Sequence, residues 1–600
     1  MAGICTHVNT DCVLDIVLHY VYIVGMYIED VPNRNSRPAT LVRESSREGP
    51  IVHKRTVANI SHWPRAKIEA LRRLLRDEPV GLVGSPECLT ITSSLPHGHV
   101  AAVLGTVRKL GLDRIISSKR CRQRDIILAL IASRILFPAS KLGSTRHWEH
   151  CTLGSELDVL DVELDELYSA LDWLLRRQNR IENKLAEIHL PQGCSVLYDL
   201  SSSYYYGEHC DLAKFGHSRD GKKGWPIIVY GLLANHQGCP VAVQVYAGNT
   251  ADPKTMMDQV EKVRNRFNLT RVVMVGDRGS LTSTNIEKIK EYPGVGWIGA
   301  LRGESIGKLV KEGILNRSLF DHQHLAEIQS PDYPAERLIA CWNPLLAEKR
   351  VRTRESLLLA TEKKLEPLMQ QALRNRDKGK PWTDAQIGLR VGRILNHHKM
   401  AKHFIITVKE SNFSYARHAE SIEAEAKLDG LYCIRTSEAQ EAWSAPDVVR
   451  GYKDLGNVEK AFRCLKQVDL KVRPIFLRNT DHVKAHIFLC VLAYYVEWHM
   501  RQNLAELLYA DEEIQANRGT RDPVLPAQPS ASAQAKKKTH HNAQGLPVQS
   551  FRSLMEELAT QSRNVCRMTD DDDDKGPTAT MLAMPTALQR RAFELLGCTQ

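Results

Sequence analysis

The chain has 600 residues, room for three or four domains of about 100–200 residues each. With 43% hydrophobic and 25% charged residues it reads as globular, neither disordered nor fibrous. Its 81 Lys and Arg outnumber 70 Asp and Glu, a net charge of +11 that suits a partner bearing phosphates but is shared by many enzymes.

The 14 cysteines contain no Cys-x-x-Cys pair, so zinc-ribbon and redox motifs get no support, and free thiols in a reducing compartment are the plain reading. Near the start, Val13–Gly25 is apolar but carries Asp15 and His19. It lacks a basic lead and is too short to span a bilayer. Strand-and-turn texture begins at Met26, so residues 1–25 read as an upstream extension from a mis-assigned start, or as an ordinary N-terminal helix. Residues 26–84 form a β-rich arm dotted with Arg34, Lys54 and Arg55, either a basic arm for phosphates or a solvated hairpin. Residues 85–190 turn helical, with apolar spacing in ILALIASRILF broken at Pro138, then resumed in LDELYSALDWLLRRQNRIENKLAEIHL.

At Gly193 the texture changes to strands, and residues 191–302 read as the first part of an α/β core. CSVLYDLSSSYY is one strand, and WPIIVYGLLANHQGCPVAVQVYAG is a hairpin turning at His236–Gly238. A helix, the buried strand RVVMVGD, another helix and the strand VGWIGAL follow; Trp297 in the last is expected to be core. Three antiparallel-capable strands, then alternating helix and strand, is the order of a ribonuclease-H-like α/β sheet. Residues 303–426 interrupt it as an insertion with a long charged helix, and 427–509 complete the core. In that second part HVKAHIFLCVLAYYVEWHM reads as a buried core helix, not a membrane span. Residues 510–550, rich in Pro, Ala, Ser and Lys, read as a linker, and 551–600 as a tail. The Asp570–Asp574 run within it reads as a solvated acidic turn.

Three acids stand out. Asp199 ends the strand from Cys194, and Asp277 ends the strand from Arg271. Ligands of α/β sheets gather at such carboxyl ends. Two carboxylates from one sheet suit a hard cation such as Mg²⁺ or Mn²⁺, and a third should come from a helix packed on the sheet. The helix from Gly451 offers Glu459. Tyr452, Leu455, Glu459, Arg463 and Lys466 share a stripe of about 80° at helical spacing, apt for one metal ligand between groups that grip phosphates. A solvated face with a Glu459–Arg463 pair is the competing reading. His217, Ser218, Arg219, Lys222 and Lys223 make a basic loop that either touches nucleic acid or is only solvated. Asn249 and Asp252 read as a turn and helix cap before Pro253, with Asp252 not expected to bind metal.

These blocks resemble the insertion-sequence transposases of the DDE class, in the group whose third acid lies in a Tyr-x2-Arg-x3-Glu-x6-Lys signature. Tyr452, Glu459 and Lys466 match it, and Leu455 stands where that group has Arg. The segments Gly216–Asp252 and Gly276–Asn285 resemble the blocks around the first two acids, and Gln589–Gly597 resembles the closing tail. The resemblance implies a ribonuclease-H-like core with an insertion domain, preceded by a β-rich arm and a helical DNA-binding domain. It implies catalysis and metal binding by Asp199, Asp277 and Glu459 with Mg²⁺ or Mn²⁺, two ions. DNA contacts are expected at Tyr452, Arg463, Lys466, Arg219, Lys222, Lys223 and Arg278. The implied partners are double-stranded DNA, as terminal inverted repeats and target, and a second copy in a synaptic homodimer, with no membrane. The implied setting is the cytoplasm of a bacterial or archaeal cell, at the nucleoid when bound. A catalytically silent DNA-binding derivative and a plain nuclease of the same fold are the alternatives. No Walker-type phosphate loop is present, and none is needed where transesterification conserves the phosphodiester.

Overall fold

A computed structural model describes residues 22–33, 37–48, 51–76, 89–219, 221–222, 224–321, 323–568 and 578–598. The stretch 1–21, Arg34, Lys223 and the Asp570–Asp574 run lie outside the described residues. The chain divides into two compact units, Met1–Thr92 with Val565–Ala579, and Ser93–Asn564 with Thr580–Gln600.

The first unit is built on an antiparallel sheet of β1 (Tyr22–Val31), β2 (Ala39–Glu48) and β3 (Ile51–Asn59), followed by the helix Arg65–Leu74. Its small core is Val42, Ile60 and Ile68, and Arg43–Glu29 and Arg72–Asp30 ion pairs tie its elements together. β1 runs through Met26 without a break, and Tyr22 already pairs with Arg47, across a register shift between Ile23 and Gly25. Backbone pairing therefore begins upstream of the point where the sequence texture changed. The strand β4 (Leu89–Pro96) carries the chain into the second unit.

The second unit is centred on an eight-stranded mixed sheet. Its strands are β5 (Ser195–Tyr204), β6 (Ile227–Asn235), β7 (Pro240–Ala247), β8 (Val272–Gly276), β9 (Val295–Ala300), β10 (Leu325–Ile328), β11 (Arg337–Trp342) and β14 (Leu431–Thr436). The order is β10-β11-β14-β9-β8-β5-β6-β7. β5, β6 and β7 are antiparallel neighbours, whereas β5, β8 and β9 run parallel. β6 is buried on both faces, which is why its run Ile227–Asn235 lacks the alternation of a half-exposed strand. Trp297 in β9 is buried, as expected of a core residue.

The helices between Gly98 and His189 do not form a body of their own. Their apolar faces share one core with the sheet and with the helix Thr480–Asn503. That last helix packs against Leu164–His189, Arg122–Leu136 and β7, and is buried nearly all round. Its apolar length is thus a core requirement, and among the described residues no single helix is long and apolar enough to cross a membrane. A capping box between Glu163 and Glu166 starts Leu164–His189. Inside that helix Glu182 is fully buried. Its charge is met by Arg266 and by Lys262 at 3.8 Å, and it accepts from Val243 N–H at 3.1 Å, so one carboxylate links the helix to β7.

β10 and β11, within the stretch read as an insertion, belong to the main sheet. What stands apart is the return path between β11 and β14. The helix Pro344–Asp377 packs on Asp384–His398 and on the hairpin of β12 (Phe404–Lys409) and β13 (Asn412–Arg417), around Leu358, Leu365, Ile387 and Phe413. A buried Arg354–Asp429 pair, donating at 3.1 Å, ties the long helix to the chain as it re-enters the sheet. Residues 510–550 are ordered in spite of their composition. Asp511 accepts from Ser530 N–H at 2.9 Å, and Lys536, at the end of the helix Ala531–Thr539, is buried and donates to the Ala505 carbonyl at 3.1 Å. The tail helix Ala587–Leu596 ends on Gly597 at φ 64°, a left-handed cap.

Candidate active site

The parallel register pairs Tyr198 of β5 with Gly276 of β8, so Asp199 and Asp277 follow side by side. Asp277 stands just past the carboxyl end of β8, whereas β5 does not end at Asp199 as its sequence suggests but runs on to Tyr204, leaving Asp199 midway along it. Asp199 is fixed by Leu200 N–H donating to its Oδ1 at 2.8 Å. Asp277 is fixed by two amides of the turn that follows, Gly279 at 3.1 Å and Ser280 at 2.7 Å, both donating to Oδ1. Neither set of amides occupies the second carboxylate oxygen. A Cβ at Gly279 would stand 3.2 Å from Asp277 Oδ2, a tight contact, and 3.6 Å from Asp252 Oδ2, an ordinary one, so both carboxylates lie against this turn.

The helix Leu455–Arg463 packs on β5 and supplies the third acid. Its seat is set by Phe462 edge-on to Tyr230, with ring centroids 5.8 Å apart, and by Asn457 donating to the His236 carbonyl at 3.1 Å. Gly238, at φ 88° in the β6–β7 turn, lets Asn457 approach. A side chain there would collide with Asn457 Cβ at 2.8 Å as well as strain the turn. Glu459 is exposed on this helix and close enough to raise the Asp199 carboxyl. Burial, then Asp277 and Glu459, pushes Asp199 up to about 7, against the opposing pull of its Leu200 hydrogen bond and of Arg219. Tyr452 is pushed up to about 12 by burial and by the same three carboxylates, with Arg278 opposing, so it remains a neutral phenol beside them. The site is thus an all-oxygen cluster whose negative charges repel one another. Both the donor chemistry and that repulsion, only partly offset by Arg219 and Arg278, fit a hard divalent cation.

The stripe from Tyr452 to Lys466 is not one continuous helical face. The helix Ala445–Lys453 ends, Leu455–Arg463 begins after Asp454, and Cys464–Val468 is a π turn, whose smaller rotation per residue carries Lys466 off the stripe. Leu455 is only 9% exposed and belongs to the main core, and Lys466 is buried at 8%. Arg463 is exposed but lines a separate groove of 770 Å³ with Lys460, Arg501 and Arg518. Leu455→Arg is therefore expected to bury an unpaired charge. It should cost on the order of 3 kcal/mol and lower the thermal midpoint, with no gain in DNA affinity. A variant of wild-type stability that binds DNA more tightly would show that the position faces phosphates instead.

Arg219 donates from its backbone N–H to Ser202 Oγ at 3.1 Å, and its guanidinium pairs with Asp252. Ala251, not Asp252, takes the cap position of the helix Asp252–Glu261. The Asp252 carboxylate instead sits beside Asp277, neutralised by Arg219. Lys222 donates to Tyr206 Oη at 2.8 Å and lies 4.2 Å from the Tyr204 ring.

Two features escaped the sequence reading. Tyr206, edge-on to Trp225 at 4.8 Å and stacked on Phe476 at 5.6 Å, forms an aromatic cluster just past β5, with Trp225 42% and Phe476 62% exposed. Arg278 and Tyr452 also open into a cleft of 1410 Å³ walled by the helix Pro344–Asp377. Nine of its lining residues are Lys or Arg and three are Asp or Glu, so its field is positive.

A family profile described as the transposase DDE domain matches residues 211–496, a span that begins after Asp199 and includes Asp277 and Glu459. The match spans a little under half of the chain, and the family it resembles there cleaves and joins DNA and generally uses divalent metal ions. Among solved structures, the synaptic complex of piggyBac transposase with hairpin DNA is similar at 9% identity and a TM-score of 0.32, covering 67% of this chain and 72% of that one. No curated protein matches the sequence.

Proposed function

We propose that the chain is a DNA transposase of the DDE class that cleaves the terminal inverted repeats of its own element and joins the freed ends to target DNA. The observation that carries the reading is that Asp199 on β5 and Asp277 just past the adjoining parallel β8 stand side by side, with Glu459, on a helix packed on β5, close enough to raise Asp199. Three antiparallel strands followed by two parallel ones support a ribonuclease-H-like core. Asp199, Asp277 and Glu459 would hold Mg²⁺ or Mn²⁺. Bound there, two such ions would activate a water for attack on one side of the phosphodiester and stabilise the leaving oxygen on the other.

The chain's own groups position the DNA. The neutral Tyr452 phenol donates to a phosphate oxygen beside the acids, and Arg278 adds charge at the mouth of the basic cleft. Arg219 is held by Ser202 and Asp252 at the rim, and Lys222 is braced by Tyr206. Lys466, buried on the π turn, is assigned to packing, and Arg463 to the second groove. The functional unit is a homodimer pairing two ends, acting at the nucleoid of a bacterial or archaeal cell.

Incubating the full chain with Mg²⁺ and a labelled duplex from the DNA flanking its coding region should release 3′-hydroxyl ends and yield joined products. Persistent binding without cleavage would favour a silent derivative, and cleavage of any duplex alike a plain nuclease. Lys222→Ala should weaken duplex binding independently of sequence, and lower the salt slope by about one phosphate contact. An unchanged slope in a fluorescence titration would remove Lys222 from the interface.

A further inference from the structure

Away from the carboxylates, three elements distant in sequence bring a thiol and two imidazoles together. His189 is the last residue of the helix Leu164–His189, Cys239 precedes β7, and His499 lies near the end of the helix Thr480–Asn503. One donor atom from each lies within 4.8 Å of the others, and Cys239 Sγ is 3.9 Å from His499 Nε2. We propose that His189, Cys239 and His499 form a Cys-His-His site for zinc or a similar borderline-soft cation, distinct from the carboxylate cluster and built to fasten two helices to the β6–β7 hairpin.

Zinc bound through sulfur at about 2.3 Å and nitrogen at about 2.0–2.1 Å in a tetrahedron sets its sulfur and nitrogen ligands about 3.6 Å apart. The observed sulfur–nitrogen spacing needs only a small closure to reach that. The donors are held from behind. Asn235 Oδ1 accepts from Cys239 N–H at 2.9 Å and from Gln237 N–H at 3.0 Å, fixing the turn that presents the fully buried thiol. His189 Nε2 is 3.0 Å from Tyr495 Oη, the outer-sphere partner that orients a metal-ligating imidazole when the other ring nitrogen binds. The Tyr495 and Trp498 rings stand edge-on to His499 at 4.7 and 4.8 Å, limiting its swing. Both histidines are half-buried, not sealed, which leaves a path for a cation and a fourth, exchangeable ligand such as water.

Burial lowers His189, and lowers His499 to about 4 with His189 adding to the effect. Burial raises the Cys239 thiol, so binding forms the metal–sulfur bond as the S–H bond breaks and its proton passes to solvent. Cys464, the thiol of a second cluster with Asp469 and Glu497, makes the natural control. There Arg501 already pairs with both carboxylates.

The test is titration of the chelator-stripped full chain with Co²⁺ and then Zn²⁺, followed by absorption and thermal melting. One equivalent of Co²⁺ should give an intense tetrahedral spectrum with a thiolate charge-transfer band that Zn²⁺ abolishes. Zinc at a hundredfold excess over its dissociation constant should raise the thermal midpoint by about 3 °C. Cys239→Ser, nearly isosteric, should melt like the stripped wild type yet lose the band and bind zinc at least tenfold more weakly, and His499→Ala should do the same to binding. Cys464→Ser should change neither. A band that survives in Cys239→Ser, vanishes in Cys464→Ser, or never forms would overturn the site. So would a zinc-induced shift in melting retained by His499→Ala.

Discussion

Asp277→Asn is expected to lower cleavage of element-end DNA by on the order of 10³-fold or more, about 4 kcal/mol of transition-state stabilisation, while end binding changes little. The side-chain amide keeps an oxygen for the Gly279 and Ser280 N–H groups, so the turn after β8 survives and what is lost is charge at the second oxygen. Asp199→Asn should do the same, because Leu200 still finds its acceptor. In the metal-free protein this variant should melt no lower than wild type, since burial and the facing acids disfavour the native carboxylate. Glu459→Gln, at an exposed position, should leave stability untouched and abolish cleavage. Paired polarisation and cleavage assays on one duplex read both effects. Any of the three variants cleaving at the wild-type rate would drop its residue from the catalytic set.

The second large effect is on the metal. Cleavage should stop altogether in EDTA, return with Mg²⁺ or Mn²⁺, and fail with Ca²⁺ although DNA binding is supported. Calcium accepts the same oxygens but takes more ligands at longer distance, so the attacking and leaving oxygens are no longer clamped in line. Turnover in EDTA, or with Ca²⁺ at the Mg²⁺ rate, would count against the cluster of three acids as the catalytic site.

Asp277 was readable because β8 is a short apolar run followed by Asp before a polar loop. Asp199 was singled out as a strand end too, but the serines after it are buried and paired, so β5 runs on to Tyr204 and Asp199 meets Asp277 from mid-strand. Helical spacing put Glu459 on a polar face but left a solvated Glu459–Arg463 face open; the resemblance to the Tyr-x2-Arg-x3-Glu-x6-Lys signature singled it out. The same spacing misled at Leu455 and Lys466, because it assumes an unbroken helix. A break at Asp454 and a π turn after Arg463 shift the phase, and neither leaves a mark in the apolar pattern. The basic cleft was invisible for another reason: Arg278, Lys311, Lys349 and Lys453 are scattered through the chain and are gathered only when the helix Pro344–Asp377 folds back. His189, Cys239 and His499 escaped the search for close Cys spacings in the same way. Residues 510–550 resembled a linker because composition reports apolar burial, whereas their order rests on polar anchors at Asp511 and Lys536. The helices before Gly193 looked like a separate domain because local periodicity does not disclose which partner covers an apolar face.

The most direct measurement replaces one non-bridging oxygen of the scissile phosphate by sulfur and compares cleavage by the wild-type chain in Mg²⁺ and in Mn²⁺. Sulfur is a poor ligand for the hard Mg²⁺ and a better one for Mn²⁺. If Asp199, Asp277 and Glu459 hold the cations against that phosphate, one sulfur diastereomer should be cleaved at least about tenfold more slowly in Mg²⁺, with the loss largely restored in Mn²⁺. Equal rates for sulfur and oxygen substrates in both metals, with both diastereomers and chemistry rate-limiting, would contradict direct metal contact at the scissile phosphate and the account built on it.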